Sequence, residues 1–86
     1  SHTELTKVCR AVFARATQER IANTKLVAFM QKYPPADWKD LEGSEQLLKQ
    51  CTRAAKAWRK AASEAGKFTP ENQARFQQFT RGLNLD

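Results

Sequence analysis

The chain has 86 residues, carries 15 Lys and Arg against 9 Asp and Glu, and has a formal charge of +6. A domain of this size buries about 60–65% of the surface its unfolded chain exposes, enough for one core and a shallow groove but not for an enclosed active-site cavity. With a mean hydropathy of −0.71 and no apolar run longer than Leu26 to Met30, the sequence excludes a membrane span, a multidomain enzyme and a disulfide scaffold.

Ser1-His2 reads as a remnant of tag removal. The expectation is therefore one helical domain over 1–86, cut from a larger protein that is intracellular, either cytoplasmic or nuclear. Of the hydrophobic residues 13 are Ala, and only Val8, Val12, Val27 and Ile21 are β-branched aliphatics. That balance favours helix over sheet. Pro34-Pro35, Gly43-Ser44, Gly66 and Thr69-Pro70 punctuate the chain. Between them lie segments that all read as helical, which predicts an all-α bundle of three to four helices with one short connecting helical turn.

The first segment runs from about Thr3 to Lys32. Leu5, Val8, Cys9, Val12, Ala16, Leu26, Val27 and Met30 share one broad face at helical spacing. An unbroken helix of this length would be about 45 Å long, against roughly 30 Å for the whole domain. The helix must either break near Ala22-Asn23-Thr24, with Asn or Thr capping a new helix, or project from the bundle, and the break is the expectation. Pro34 and Pro35 stop that helix, and Pro35 to Leu41 suits one short turn with Trp38 and Leu41 facing inward.

The clearest helix is Ser44 to Ala65. Ser44 is its expected N-cap. Leu47, Leu48, Cys51, Ala54, Ala55, Trp58, Ala61, Ala62 and Ala65 form its inner stripe, with Trp58 as the large plug. Gly66 fits a left-handed C-terminal cap. The last helix opens on Thr69, Pro70 and Glu71, and Phe68, Phe76, Phe79, Leu83 and Leu85 are expected to fold over the bundle as its lid.

Catalysis finds little support in these residues. His2 is the only histidine, the glycines are isolated, and Glu19 is the one acid near an apolar stripe, with Arg15 or a charge on a neighbouring helix as its expected partner. Cys9 and Cys51 sit on apolar stripes and read as buried core thiols rather than as a disulfide or reactive thiols. No metal site, cofactor, small-molecule substrate or enzymatic activity is expected.

Charge is the more informative signal. Residues 46–67 carry Lys49, Arg53, Lys56, Arg59, Lys60 and Lys67 against Glu64 alone, whereas residues 34–45 are acidic. The five bases from Lys49 to Lys60 cover the arc opposite Leu47, Cys51 and Trp58. Lys49–Arg53 and Lys56–Lys60 are like-charge pairs at i,i+4, each costing a few tenths of a kcal/mol. A face that accepts this cost suits an anionic partner, although a merely solvated basic face has the same composition.

The expected partner is nucleic acid, DNA or RNA, held mainly through its phosphates by Lys49, Arg53, Lys56, Arg59 and Lys60. Lys67, Arg10, Arg75 and Arg81 join if the helices present them on the same side, and Thr52 and Ser63 could add hydroxyl contacts. The alternative is a protein-interaction module that grips an acidic, hydrophobic segment, with Phe13, Ile21, Phe29 and Tyr33 available if the bundle leaves them uncovered. Two further readings have less support. The acidic stretch could dock on the basic helix of another copy, and the basic helix could lie weakly on anionic lipid.

Overall fold

Strong helix formers, interrupted at Pro34-Pro35, Gly43 and Gly66 and once before Asn23 where neither Pro nor Gly stands, give five helices and no strand among the described residues: α1 His2–Gln18, α2 Asn23–Lys32, α3 Pro35–Trp38, α4 Ser44–Glu64 and α5 Pro70–Phe79. The computed structural model describes residues 2–18, 21–38 and 40–85, and side chains at 3–15, 21–38 and 40–85. The expectations placed on Ser1, Glu19, Asp86 and the side chains of His2 and Ala16 lie outside these residues. The result is an all-α bundle of four helices joined in its middle by the single turn α3.

The first helical segment does break, but its cap differs from expectation. Ala22 is the N-cap of α2, with extended backbone (φ −63°, ψ 143°) and no side-chain cap bond. Asn23 and Thr24 are exposed inside the first turn instead. At the other end Tyr33 is extended, as a residue preceding proline must be, and its N–H donates to Phe29 O at 2.8 Å.

α4 is the longest helix among the described residues. Its 21 residues span about 31 Å, against a longest dimension of 38 Å. Its N-cap is Gly43 at φ 86°, not Ser44. The left-handed turn at Gly43 carries the chain over Phe13 and delivers Ser44 into the helix, where it is 1% exposed. The far end matches expectation. Gly66 lies at φ 68°, its N–H donates to Ser63 O and the Lys67 N–H donates to Ala62 O. Both bonds together form a Schellman cap. Thr69 likewise caps α5, its hydroxyl oxygen accepting from Asn72 N–H at 3.3 Å.

Packing explains which part of each apolar stripe is used. α4 packs chiefly on α2 and then on α1. Cys51, Ala54 and Ala55 are fully buried, and their small side chains suit the close packing of α2, whose buried residues are Leu26, Val27 and Met30. Farther along α4 the stripe outruns its neighbours, so Ala61 and Ala65 are exposed and Trp58 is only half-buried. The large side chain sealed in the core is Trp38, whose indole N–H donates to Tyr33 O at 2.6 Å.

All eight aromatic residues fall into two clusters. Trp38 meets Phe13 and Phe29, and Phe29 meets Tyr33. Trp58 stacks on Phe76 at 5.4 Å and meets Phe68 and Phe79 edge-on. Phe68, Leu83 and Leu85 pack against the core around Phe76 and Phe79. Beyond α5, Gly82 at φ 93° lies so close to the backbone of Pro35 and Ala36 that it clasps the C-terminal segment onto α3.

Candidate nucleic-acid interface

A helix turns by 100° per residue, so Lys49, Arg53, Lys56 and Lys60 fall within an arc of about 60° along about 17 Å of axis. All four are exposed, on the side of α4 opposite the fully buried Leu47, Cys51 and Ala54. Glu45 and Glu64 stand four residues beyond the two ends of the run, and no acid lies within it.

Arg59 occupies the flank of this arc that turns towards α5. It is half-buried, and its guanidinium carbon lies 5.8 Å from the centre of the Phe76 ring. That cation–π contact holds the Arg59 charge against the ring, whereas Lys49, Arg53, Lys56 and Lys60 are exposed.

Two surface hollows adjoin at Arg59 and Phe68. One, of about 490 Å³, is lined by Lys56, Arg59, Lys60, Ser63, Glu64 and Phe68. Three bases against one acid leave its rim at +2. The other, of about 400 Å³, has Phe76, Leu83 and Leu85 as its apolar wall and the amides of Gln73, Gln77 and Asn84 around it. Gln73 uses its amide N–H to bond Phe68 O at 3.0 Å, which leaves its carbonyl as an acceptor.

The remaining bases are distributed differently. Lys67 is exposed just past the α4 cap and beside Phe68 in sequence. Arg75 is exposed on the opposite edge of α5, in a hollow with Gln31, Pro34, Gln78 and Phe79. Arg81 is exposed between buried Thr80 and Gly82, at the α3 end, and Arg10 is exposed on α1. Arg75 therefore faces away from the α4 bases. Thr52 has its hydroxyl donor committed to Leu48 O at 2.8 Å and can offer a phosphate nothing but lone pairs.

Elsewhere, a cleft of about 300 Å³ separates α1 from α2, with Val12, Ile21, Leu26 and Phe29 as its apolar lining and Arg15 and Lys25 beside them. Phe13 is buried, and Ile21, Phe29 and Tyr33 are half-buried, so no large apolar side chain is exposed among the described residues. Cys9 and Cys51 are free and buried. Burial pushes both thiols up, Cys51 to about 12, so neither forms a thiolate nucleophile near neutral pH. Among the described residues no three His, Cys, Asp or Glu gather as metal ligands, and no helix is long and apolar enough to cross a membrane.

Of the residues lining these two hollows, sequence reasoning singled out Phe68 only as an apolar lid residue and Gln73, Gln77 and Asn84 not at all. A signal existed for part of the set: Gln73 and Gln77 are four apart and share a helix side. No protein-family model, curated protein or solved structure matches this chain.

Proposed function

We propose that this is a non-enzymatic helical domain that binds nucleic acid, mainly through backbone phosphates, using Lys49, Arg53, Lys56, Arg59 and Lys60. One observation carries the reading: four exposed bases share one arc of the longest helix, with a fifth fixed at its flank. Such a row can follow a phosphate backbone without reading sequence. The reading sets the domain inside the cell, where free thiols such as Cys9 and Cys51 persist.

The test is fluorescence anisotropy with labelled duplex DNA, single-stranded DNA and RNA at about 50 and 200 mM salt. Neutralising four or five phosphates gives a log–log salt slope near −4, or roughly a 250-fold loss of affinity between those salts. The double variant Arg53→Glu/Lys56→Glu is expected to abolish binding while retaining the helical circular dichroism spectrum. Absence of saturable binding at the lower salt, up to tens of micromolar protein, overturns the proposal.

The α1–α2 cleft favours a second reading, an acidic and hydrophobic protein segment seated on Val12, Ile21, Leu26 and Phe29 and paired with Arg15 and Lys25. That association would depend weakly on salt, survive the α4 charge reversals and be lost in Phe29→Ala.

A further inference from the structure

The two hollows that meet at Arg59 and Phe68 point to a more specific ligand than a uniform phosphate row. A duplex presents its phosphates outside and keeps its bases stacked within, so a side-chain row that only follows phosphates needs no apolar pocket beside it. Here an open hollow does lie beside it, with Phe68, Phe76, Leu83 and Leu85 as its apolar wall and a polar rim. On the α4 side of Arg59 stand Lys56, Lys60 and the Ser63 hydroxyl; on the α5 side lie an apolar wall and a group of amides.

We infer that the α4 face takes single-stranded nucleic acid, with one unstacked base inserted between α5 and the C-terminal segment and its phosphate held by Lys56, Arg59 and Lys60. The inference rests on the phosphate-binding reading of α4 and names the form of the substrate.

Each part of the site has a chemical task. The phosphate meets a rim of net positive charge, with Arg59 supplying the planar guanidinium suited to two phosphate oxygens. The base meets Phe68. Its two ring contacts, with Trp58 at 75° and Phe76 at 84°, are both close to perpendicular. Phe68 is half-buried and lines both hollows, so the part of its ring presented there can meet a base. Gln77 is exposed and offers both an amide donor and a carbonyl acceptor, while Gln73 offers its carbonyl. Amides of this kind bond the edges of bases that are splayed out of a stack. Leu83 and Leu85 supply apolar surface on the far wall of the hollow. They stand there because Gly82 clasps their segment to α3.

The experiment compares a labelled single strand with a duplex of the same sequence, in DNA and RNA forms, at about 50 mM salt. The proteins are wild type, Phe68→Leu, Gln77→Ala and Arg53→Glu/Lys56→Glu. Phe68→Leu keeps an apolar contact in the cluster but removes the stacking surface, and exposed Gln77 has no packing role. Wild type is expected to bind the single strand at least about tenfold tighter than the duplex. Phe68→Leu is expected to weaken single-strand binding by about fivefold or more. Gln77→Ala should lower it severalfold, so that in both variants the ratio of single strand to duplex falls towards one. Equal affinity of wild type for both forms, or a ratio unmoved in both variants, overturns the inference and leaves phosphate binding standing. Binding of neither form overturns the α4 reading itself and this inference with it.

Discussion

Replacing Gly82 by Ala isolates a steric contact from a backbone preference, because Gly66 provides an internal control. Both residues have positive φ, 93° and 68°. An L-residue in this region costs about 1–2 kcal/mol. A stiffer unfolded chain returns about 0.4–1 kcal/mol of that. At Gly66 nothing lies within 4 Å of an added Cβ, so Gly66→Ala should cost about 1 kcal/mol. At Gly82 the same Cβ would sit 2.8 Å from Ala36 N, 2.9 Å from Ala36 Cα and 3.2 Å from Pro35 C. Ordinary contacts between carbon atoms lie at about 3.5–4.0 Å. All three atoms are backbone, so no side chain can rotate away and the C-terminal segment must lift from α3. Strain of this kind adds about 1–3 kcal/mol, which brings Gly82→Ala to about 2–4 kcal/mol. A domain of this length has roughly 4–13 kcal/mol in total. Urea unfolding followed by far-ultraviolet circular dichroism measures both variants, and thermal melts should show about 4–8 °C lost per kcal/mol. If Gly82→Ala is no less stable than Gly66→Ala, the clasp onto α3 is not a tight contact and the argument fails.

The two tryptophans should rank opposite to their apparent prominence in the sequence. Trp38→Ala, at a fully buried site with a hydrogen bond, should cost about 3–5 kcal/mol. Trp58→Ala, at a half-buried site, should cost measurably less in the same denaturation assay, and the reverse order would contradict the assigned packing. The pH dependence of stability should also carry a signature of Cys51. Its folded thiol is pushed up to about 12, whereas an unfolded thiol ionises near pH 8.5. Between those values the unfolded state has lost a proton that the folded state keeps, so stability falls as pH rises. The slope approaches about 1.4 kcal/mol per pH unit, and below about pH 7 the thiol contributes almost no pH dependence. Cys51→Ala should show a shallower alkaline decline than wild type, and identical slopes would refute the assignment.

Features set by neighbours in sequence were legible before the structure. Gly66 ends α4 and Thr69-Pro70 starts α5 because caps depend on a few adjacent backbone groups. The basic arc was legible for a similar reason, since spacing alone decides which side chains share a helix face. Ser44 was not, because Gly43 and Ser44 both favour an N-cap and the left-handed turn gave the position to Gly43. Periodicity also identifies the apolar face of α4 but not where the helices packed on it stop. Ala61 and Ala65 continue the stripe past that point, and Trp58 stands at its edge. The hollows beside Arg59 were invisible because they require α4, α5 and the C-terminal segment to converge. No local pattern encodes that meeting of residues 56 to 85.

The division of the aromatic residues into two clusters has an optical consequence. Each cluster contains one of the two indoles, so the intrinsic emission of the chain is the sum of two signals from different surroundings. Trp38 is shielded from solvent and from any quencher dissolved in it. Trp58 is half-exposed and sits on the ring over which Arg59 lies. The protein thus contains a reporter beside its proposed binding face and a reference sealed away from it, without an added dye.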